Sequence, residues 1–520
     1  MIYIAPHRRR AYLAACRVLA VLSAIAGLVY LKWLLLDTRP ENLVLFYLLI
    51  AAEAFNVIQA AGFWYTISSQ RWDEPATSDF ATTDETVDVF ITVAGEPLEI
   101  VEQTMHGALA IRHPRMSVWI LDDGRSTDIQ ALASSAGVGY LTRPDRRGAK
   151  AGNINEGLAR THGDFVVIFD ADHVPKPGFL EKTMGCFAER DVAFVQTPQS
   201  YSNRFTNRVA SGAHEQQALF YGPIMRGRTK DQAVFACGTN LIFRRTALAA
   251  VGGMPEDSIT EDLRVSLQLL KAGYHGKYVP IVLAEGLGPL DVSGYYSQQL
   301  RWARGGLEIL FKRRPFFRGM RMATRVQFGL SFVYWFTGFA YAAYLVLPVA
   351  FLLTGQRPVQ APNQYPIYFL PYIVVTLATM AVASDFKIKF EALWFTLGSF
   401  PIHVAALITA IFGGKAKFVV TSKSGSRRSL RPVITHIVAI SVLVVAMVVG
   451  MLREGITPAV MNNVAFALGH VVILQGFIRY ALWPDVRAGE AALEPTRDAS
   501  VAGAGDEGIL ESEPAGEGTA

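Results

Sequence analysis

The chain has 520 residues, 51% of them hydrophobic, and a formal net charge of +5. A mean hydropathy of +0.26 is high for a soluble protein, and the excess sits in blocks before residue 70 and after residue 325. This excludes a wholly soluble fold and points to a membrane protein with one globular insert. Three scattered cysteines, Cys16, Cys186 and Cys237, exclude a disulfide framework or a cysteine-based zinc site.

The chain opens with His7-Arg8-Arg9-Arg10 and an apolar run from Ala11 to Leu36. That run is longer than the roughly 7–15 residues of a signal-peptide core and long enough to cross a hydrocarbon layer of ~30 Å. A second span, Leu43 to Tyr65, follows a short polar link, so residues 1–68 are predicted to form a transmembrane hairpin. A polar linker covers 69–86.

From there to about residue 310 strand-like and helix-like runs alternate. Val87–Val93, Ser117–Leu121, Phe165–Phe169 and Ala193–Gln196 read as strands; Leu98–Leu109, Ala149–Arg160 and Gly178–Arg190 read as helices. The alternation predicts an α/β domain over 87–310 with a mostly parallel sheet. Ligands bind such sheets beyond the carboxyl ends of the strands.

The stretch 311–325 mixes six basic residues, from Lys312 to Arg325, with Phe311, Phe316 and Phe317 and carries no acid. It reads as an amphipathic segment on an anionic lipid surface. Apolar blocks follow at Val326–Leu353, Tyr365–Val382, Leu393–Phe412, Pro432–Met451 and Val460–Leu482. Loop charge puts the 312–325 cluster, Lys387, Lys389 and the run from Lys415 to Arg431 on the cytoplasmic side. Five crossings after the domain would split Lys387 from Lys415, so Leu393–Phe412 is expected to be interfacial or re-entrant. Six crossings remain in an inner, plasma-type membrane, with the domain and both termini cytoplasmic. Residues 485–520, rich in Gly, Ala and Glu, are expected to be a disordered tail.

Chemistry-bearing motifs lie along the polar domain. Asp170-Ala171-Asp172 ends an apolar strand, where residues i and i+2 converge on one side. With His173 it can supply ligands to Mg²⁺ or Mn²⁺, which prefer oxygen donors; Asp-x-Asp also forms simple turns. Asp122-Asp123-Gly124 ends another strand and can accept from a nucleobase or ribose, or can merely make a turn. Gly148-Ala149-Lys150-Ala151-Gly152-Asn153 enters a helix; Lys150 can reach a phosphate and Asn153 can hydrogen-bond a nucleotide, although the spacing is not that of a P-loop. Thr260-Glu261-Asp262 offers Asp262 as a general base, with a plain helix start as the alternative. Gln298-Gln299-Leu300-Arg301-Trp302 offers a guanidinium for a diphosphate and an indole face for a sugar ring, or an interfacial anchor.

Taken together these residues resemble the processive family-2 glycosyltransferases, most closely the cellulose synthase catalytic subunits, from Val87 to Lys423. The match is strengthened by Arg143-Pro144-Asp145, by Val195-Gln196-Thr197-Pro198, by Phe235-Ala236-Cys237-Gly238-Thr239 (similar to FFCGS, with Ala236 departing), and by Phe418-Val419-Val420-Thr421-Ser422-Lys423, which follows the FxVTxK gating-loop pattern. The resemblance implies a GT-A-type domain inserted between transmembrane helices, with Phe418, Val420, Thr421 and Lys423 on a loop that covers the nucleotide.

It further implies that Asp122, Asp123, Lys150 and Asn153 serve the nucleotide, and that Asp170, Asp172 and His173 serve the metal. Glu261 and Thr260 would flank the base Asp262. Gln298 and Arg301 would serve the diphosphate, and Trp302 and Cys237 the acceptor. The expected partners are UDP-glucose, the growing polysaccharide, membrane lipids and a periplasmic or outer-membrane secretion partner; no nucleic acid is expected. The chain is expected to be a shortened relative, with two N-terminal spans instead of four and a tail too small for the cyclic di-GMP-binding β-barrel of many bacterial members. Other readings are a synthase of mannan, of a β-1,3-glucan or of an amino-sugar polymer, a non-processive transferase, and a transporter or scaffold with an inactive domain.

Overall fold

The structure, a computed structural model, describes residues 4–72, 84–312, 319–360, 364–413 and 428–485. The Phe418–Lys423 motif, residues 73–83 of the linker, residues 313–318 of the basic segment and the tail beyond 485 lie outside these. In chain order the elements are α1 (Arg9–Lys32), α2 (Leu43–Ser68), β1 (Val87–Val93), α3 (Leu98–Leu109), β2 (Met116–Asp122), α4 (Thr127–Ser135), β3 (Gly139–Leu141), α5 (Ala149–Arg160), β4 (Phe165–Asp170), β5 (Val174–Pro175), β6 (Val192–Gln196), α6 (Arg208–Leu219), α7 (Met225–Lys230), β7 (Leu241–Arg244), α8 (Arg245–Ala250), α9 (Glu261–Lys271), β8 (His275–Tyr278), β9 (Ala284–Glu285) and α10 (Val292–Lys312). After the domain come α11 (Met322–Val333), α12 (Thr337–Thr354), α13 (Tyr365–Ala383), α14 (Phe390–Gly398), α15 (Phe400–Phe412), α16 (Ile434–Glu454) and α17 (Pro458–Leu482).

The main sheet has the order β3-β2-β1-β4-β7-β6-β8. Every residue of β1 is buried, as a strand covered on both faces should be. Asp88 within it is tolerated because Arg245 Nη2 donates to its carboxylate at 2.6 Å, as does the Gly163 amide at 2.7 Å. One face packs Val89, Ile91 and Phe169 against α3, and the other packs Phe90, Ile168 and Phe243 against α5 and α9.

β1 pairs in parallel with both β2 and β4, with Val93 opposite Asp122 and Thr92 opposite Asp170. The chain winds outward from β1 to β3 and then returns to β4 on the other side of β1. The switch between β1 and β4 opens a crevice at their carboxyl ends. The two acidic motifs flank it, two strand spacings or ~10 Å apart.

The sheet is mostly parallel, as expected, and β7 alone runs antiparallel, to both β4 and β6. One sequence expectation is corrected. Gly178–Arg190 is not a helix: after a series of turns only Met184–Ala188 winds, as a 3-10 helix. Phe179, Leu180, Met184 and Phe187 have helical spacing, but all four are buried in the sheet's core, and that packing overrides the local pattern.

Among the described residues, seven helical segments are long and apolar enough to cross a membrane, two before the domain and five after it. This is one more than the six crossings expected, the addition being Phe390–Phe412. That segment is not continuous; it breaks at Ser399 into α14 and α15. α14 packs on α6 and α17, and α15 packs on α10. Apolar residues such as Leu452, 83% exposed, face outward from the helices, as lipid-facing positions do.

Candidate active site

Lys150 is the centre of the site. It stands in the first turn of α5, just after Gly148, whose φ of +68° suits a residue without a side chain. Lys150 Nζ donates to Asp170 Oδ1 and, at 2.6 Å, to the carbonyl of Gly238. Burial works against the ammonium, but Asp170, Glu261 and Asp262 outweigh it and raise its pKa above the usual lysine value. Burial likewise disfavours the Asp170 carboxylate, yet Lys150 and His173 hold its pKa below the usual range.

Gly238 brings the acid of α9 into the same place. Its φ is +83°, and a Cβ on it would sit 3.2 Å from Asp262 Oδ2 and 3.8 Å from Lys150 Nζ. Asp262 lies at the start of α9, where its Oδ1 accepts from the Leu263 amide at 2.7 Å. Burial of the carboxyl, with Glu261 beside it, pushes its pKa up to about 7, while Lys150 and Arg301 act in the opposite direction. A carboxylate near neutrality suits proton acceptance from a hydroxyl. Burial and Asp262 also push the Cys237 thiol up, so it stands as a neutral group beside the base.

The expected metal-ligating residues do assemble. One ligand atom from each of Asp170, Asp172 and His173 lies within 4.8 Å of the others. His173 Nε2 is buried without a hydrogen-bond partner, and two carboxylates with one imidazole form a donor set that Mn²⁺ or Mg²⁺ accepts. The residues present therefore fit a divalent ion.

The end of β2 is different. Asp122 Oδ1 accepts from the Gly124 amide at 2.6 Å, and Oδ2 accepts from the Ser126 amide at 2.8 Å and from Tyr140 Oη at 2.9 Å. Asp123 takes both forks of Arg143, at 2.6 and 2.7 Å, and both residues are buried. Asn153 Nδ2 donates to the Leu121 carbonyl at 2.8 Å. In this structure these three side chains hold the turn and the strand end rather than facing an open pocket. Arg143, twenty residues from Asp123, is the member of this group whose role spacing does not disclose; its signal was the Arg143-Pro144-Asp145 run.

On α10, Arg301 acts electrostatically on Asp262, so the guanidinium and the base share the site. Trp302 follows it, half-buried. Gln298 Oε1 is buried without a hydrogen-bond partner among the described residues, while Tyr201 Oη accepts from Gln217 Nε2 at 2.9 Å. Thr260 Oγ1 is buried without a partner, and Thr260 packs so close to Gly305 of α10 that a Cβ there would lie 2.2 Å from its Cγ2. The acidic helix α9 is thereby seated directly on the helix that carries Arg301 and Trp302.

Residues 165–383 match the family profile of glycosyl transferase family group 2. Cellulose synthase 2 of Novacetimonas hansenii is 32% identical over 453 residues, 83% of this chain and 28% of that protein. The cellulose synthase catalytic subunit [UDP-forming] of Komagataeibacter sucrofermentans is 33% identical over 78% of this chain and 56% of that protein. The subunit of the same name from Pseudomonas fluorescens is 32% identical, covering 78% of this chain and 57% of that protein. The chain thus spans between about a quarter and just over half the length of these curated relatives. Among solved structures, a mannosyltransferase from Pyrobaculum calidifontis, in complex with GDP-Man and Mn²⁺, superposes with a TM-score of 0.51 at 18% identity over 71% of this chain and 99% of that one, a likeness of fold. The strand-end acids, the Lys150–Gly238–Asp262 cluster and these matches agree: residues 165–383 are a domain of glycosyl transferase family group 2, set among membrane-type helices.

Proposed function

We propose that the chain is a processive, inverting hexosyltransferase that polymerises glucose from UDP-glucose into a β-glucan and passes it across the membrane it spans. The observation that carries this is the bridge made by Lys150 between Asp170 and the Gly238 carbonyl, with Asp262 packed against Gly238. It gathers a metal-type acid pair, a cation and a near-neutral base into one place. The relatives named cellulose synthases support glucose as the sugar.

In the proposed reaction a hydroxyl oxygen of the acceptor sugar attacks the anomeric carbon. The bond from that carbon to the diphosphate breaks, UDP leaves with its electron pair, and the hydroxyl proton passes to Asp262. A single displacement converts an α-linked donor into a β-linked product. Asp170, Asp172 and His173 would hold the divalent ion, which when bound offsets charge on the leaving diphosphate. Lys150 and Arg301 add preorganised positive charge, and Trp302 offers its face to the acceptor ring. Gln298, whose buried Oε1 has no partner among the described residues, would bind the substrate beside Arg301, and Asp122, Asp123 and Asn153 shape the nucleotide end. The domain and termini would be cytoplasmic in the inner membrane, and a periplasmic or outer-membrane partner would receive the product.

The test is direct. Purified full-length protein in lipid discs would receive radiolabelled UDP-glucose, UDP-N-acetylglucosamine or GDP-mannose with Mg²⁺ or Mn²⁺. The product would be analysed by glycosidase digestion and linkage analysis. A β-glucan from UDP-glucose is expected; no polymer from any donor would overturn the proposal.

A further inference from the structure

Gln216 lies on α6, a helix of the glycosyltransferase domain that packs on α14. One tyrosine hydroxyl from another part of the chain reaches its side-chain amide: Tyr295 Oη, on α10, donates to Gln216 Oε1 at 2.7 Å. Tyr295 Oη also lies 2.9 Å from Ser399 Oγ. Ser399 is the single residue between α14 and α15. Tyr334 begins the 3-10 turn between α11 and α12 and stands edge-on to His403 of α15 at 5.8 Å. One glutamine of the domain is therefore tied through Tyr295 to the break in the candidate membrane segment Phe390–Phe412, against which the turn of Met322–Thr354 packs.

The surrounding packing has the same design. One turn before Gln216, a Cβ on Gly212 would lie 2.0 Å from Phe395 Cε2, so α6 and α14 touch almost backbone to ring. The two bends also touch each other: a Cβ on Gly338 would lie 2.6 Å from both His403 Cβ and the Phe400 carbonyl. Tyr295 is fully buried, edge-on to Phe395 at 4.8 Å and to Phe477 at 5.9 Å. An apolar seam alone would allow several sliding registers, whereas a satisfied hydroxyl–amide network inside it selects one. Tyr295 precedes Arg301 and Trp302 by six and seven residues, roughly 9–10 Å along the helix axis. The network therefore sets where the acceptor-facing part of α10 stands relative to the membrane helices.

We propose that Gln216, Tyr295 and Ser399 form a positioning node that keeps α10 aligned with the membrane segments, and that this alignment determines how many sugars are added before the product is released. The inference rests on the proposed polymerising activity. None of the three residues is among those placed at the reacting atoms, so the node acts on product length more than on each transfer.

The experiment compares Tyr295→Phe, Ser399→Ala and Gln216→Leu with the unaltered full-length protein in lipid discs. UDP release and product length distribution are measured together. Product length is expected to fall at least about threefold, while initial UDP release and donor KM stay within about twofold. The Tyr295→Phe/Ser399→Ala double variant should be little worse than Tyr295→Phe alone, since Tyr295→Phe already removes the bond to Ser399. Gln216→Glu, which keeps an acceptor for the Tyr295 hydroxyl, is expected to retain long product even where Gln216→Leu folds poorly.

Thr324→Val is the comparator. It removes a different buried hydrogen bond of the same seam, from Thr324 Oγ1 to the Asp231 carbonyl at 2.7 Å. It should lower Tm without shortening the product. Unchanged product length in the node variants overturns the inference, as does equal shortening in Thr324→Val. If the unaltered protein makes no polymer from any donor, the proposed function itself has failed, and that result is visible before any variant is compared.

Discussion

At the end of β2, the oxygens of Asp122 and Asp123 are spent on the protein itself, on two loop amides, the Tyr140 hydroxyl and the fork of Arg143. At the end of β4, two strands away, Asp170 faces the Lys150 ammonium and His173 Nε2 is buried without a partner. Both ends carry paired acids in the same sheet, yet at β2 the acids are held by the turn and by Arg143, whereas at β4 Asp172 accepts from the Leu287 amide at 3.1 Å while the adjacent His173 Nε2 has no partner. A motif letter therefore states which groups are available. The partners supplied from elsewhere in the chain state whether those groups are already committed.

The comparison can be broken in order of expected effect. Asp262→Asn removes the base and is expected to cost at least ~10²-fold in turnover, with UDP affinity retained in a calorimetric titration; equal loss of both would make Asp262 structural. Next, Asp170→Asn should lower kcat/KM on the order of 10²-fold and abolish the divalent-ion dependence of nucleotide binding. Asp123→Asn, by contrast, strands the buried Arg143 and should appear chiefly in chemical denaturation, as a loss of about 3–5 kcal/mol. Should the two variants behave alike, the two strand ends are not different in kind.

A smaller effect concerns pH. The base must be deprotonated, and burial holds the Asp262 pKa near about 7. kcat/KM should thus fall on the acid side of neutrality, by about tenfold at one pH unit below that pKa. The same raised pKa means that the folded chain binds this proton more tightly than the unfolded chain. Its contribution to stability is present below the unfolded carboxylate range near ~4 and is lost as pH rises towards the folded value. The smallest effect is that of Tyr140→Phe, which deletes one of three bonds to Asp122 and should cost ~1 kcal/mol, read as a small shift in the denaturation midpoint with activity retained.

Much of the local structure was legible. Val87–Val93, Leu98–Leu109 and Ala149–Arg160 begin and end where the apolar patterns and turn residues predict. Each is a strong periodic run with a clear stop. Gly178–Arg190 misled because its apolar spacing serves irregular packing against the sheet. The antiparallel entry of β7 was not legible, since a strand's residues carry no mark of its direction; the length and path of its connections decide that. In the site, the proximity of Asp170, Asp172 and His173 was readable from strand-end placement, and Asp262 only as an acid at a helix start. The commitment of Asp123 to Arg143 and the bridge from Lys150 to Gly238 were not, because the partners lie twenty and eighty-eight residues away.

From the chain alone came the membrane blocks, the α/β alternation and the inventory of acids, cations and aromatics, because these depend on composition and short-range periodicity. Which acids are already satisfied, which carboxyl is raised towards neutrality, and how Tyr295 joins Gln216 to the break at Ser399 were decided only by the tertiary structure. Hydrogen-bond partners and desolvation are set by residues that meet through folding, and neither is encoded in local spacing.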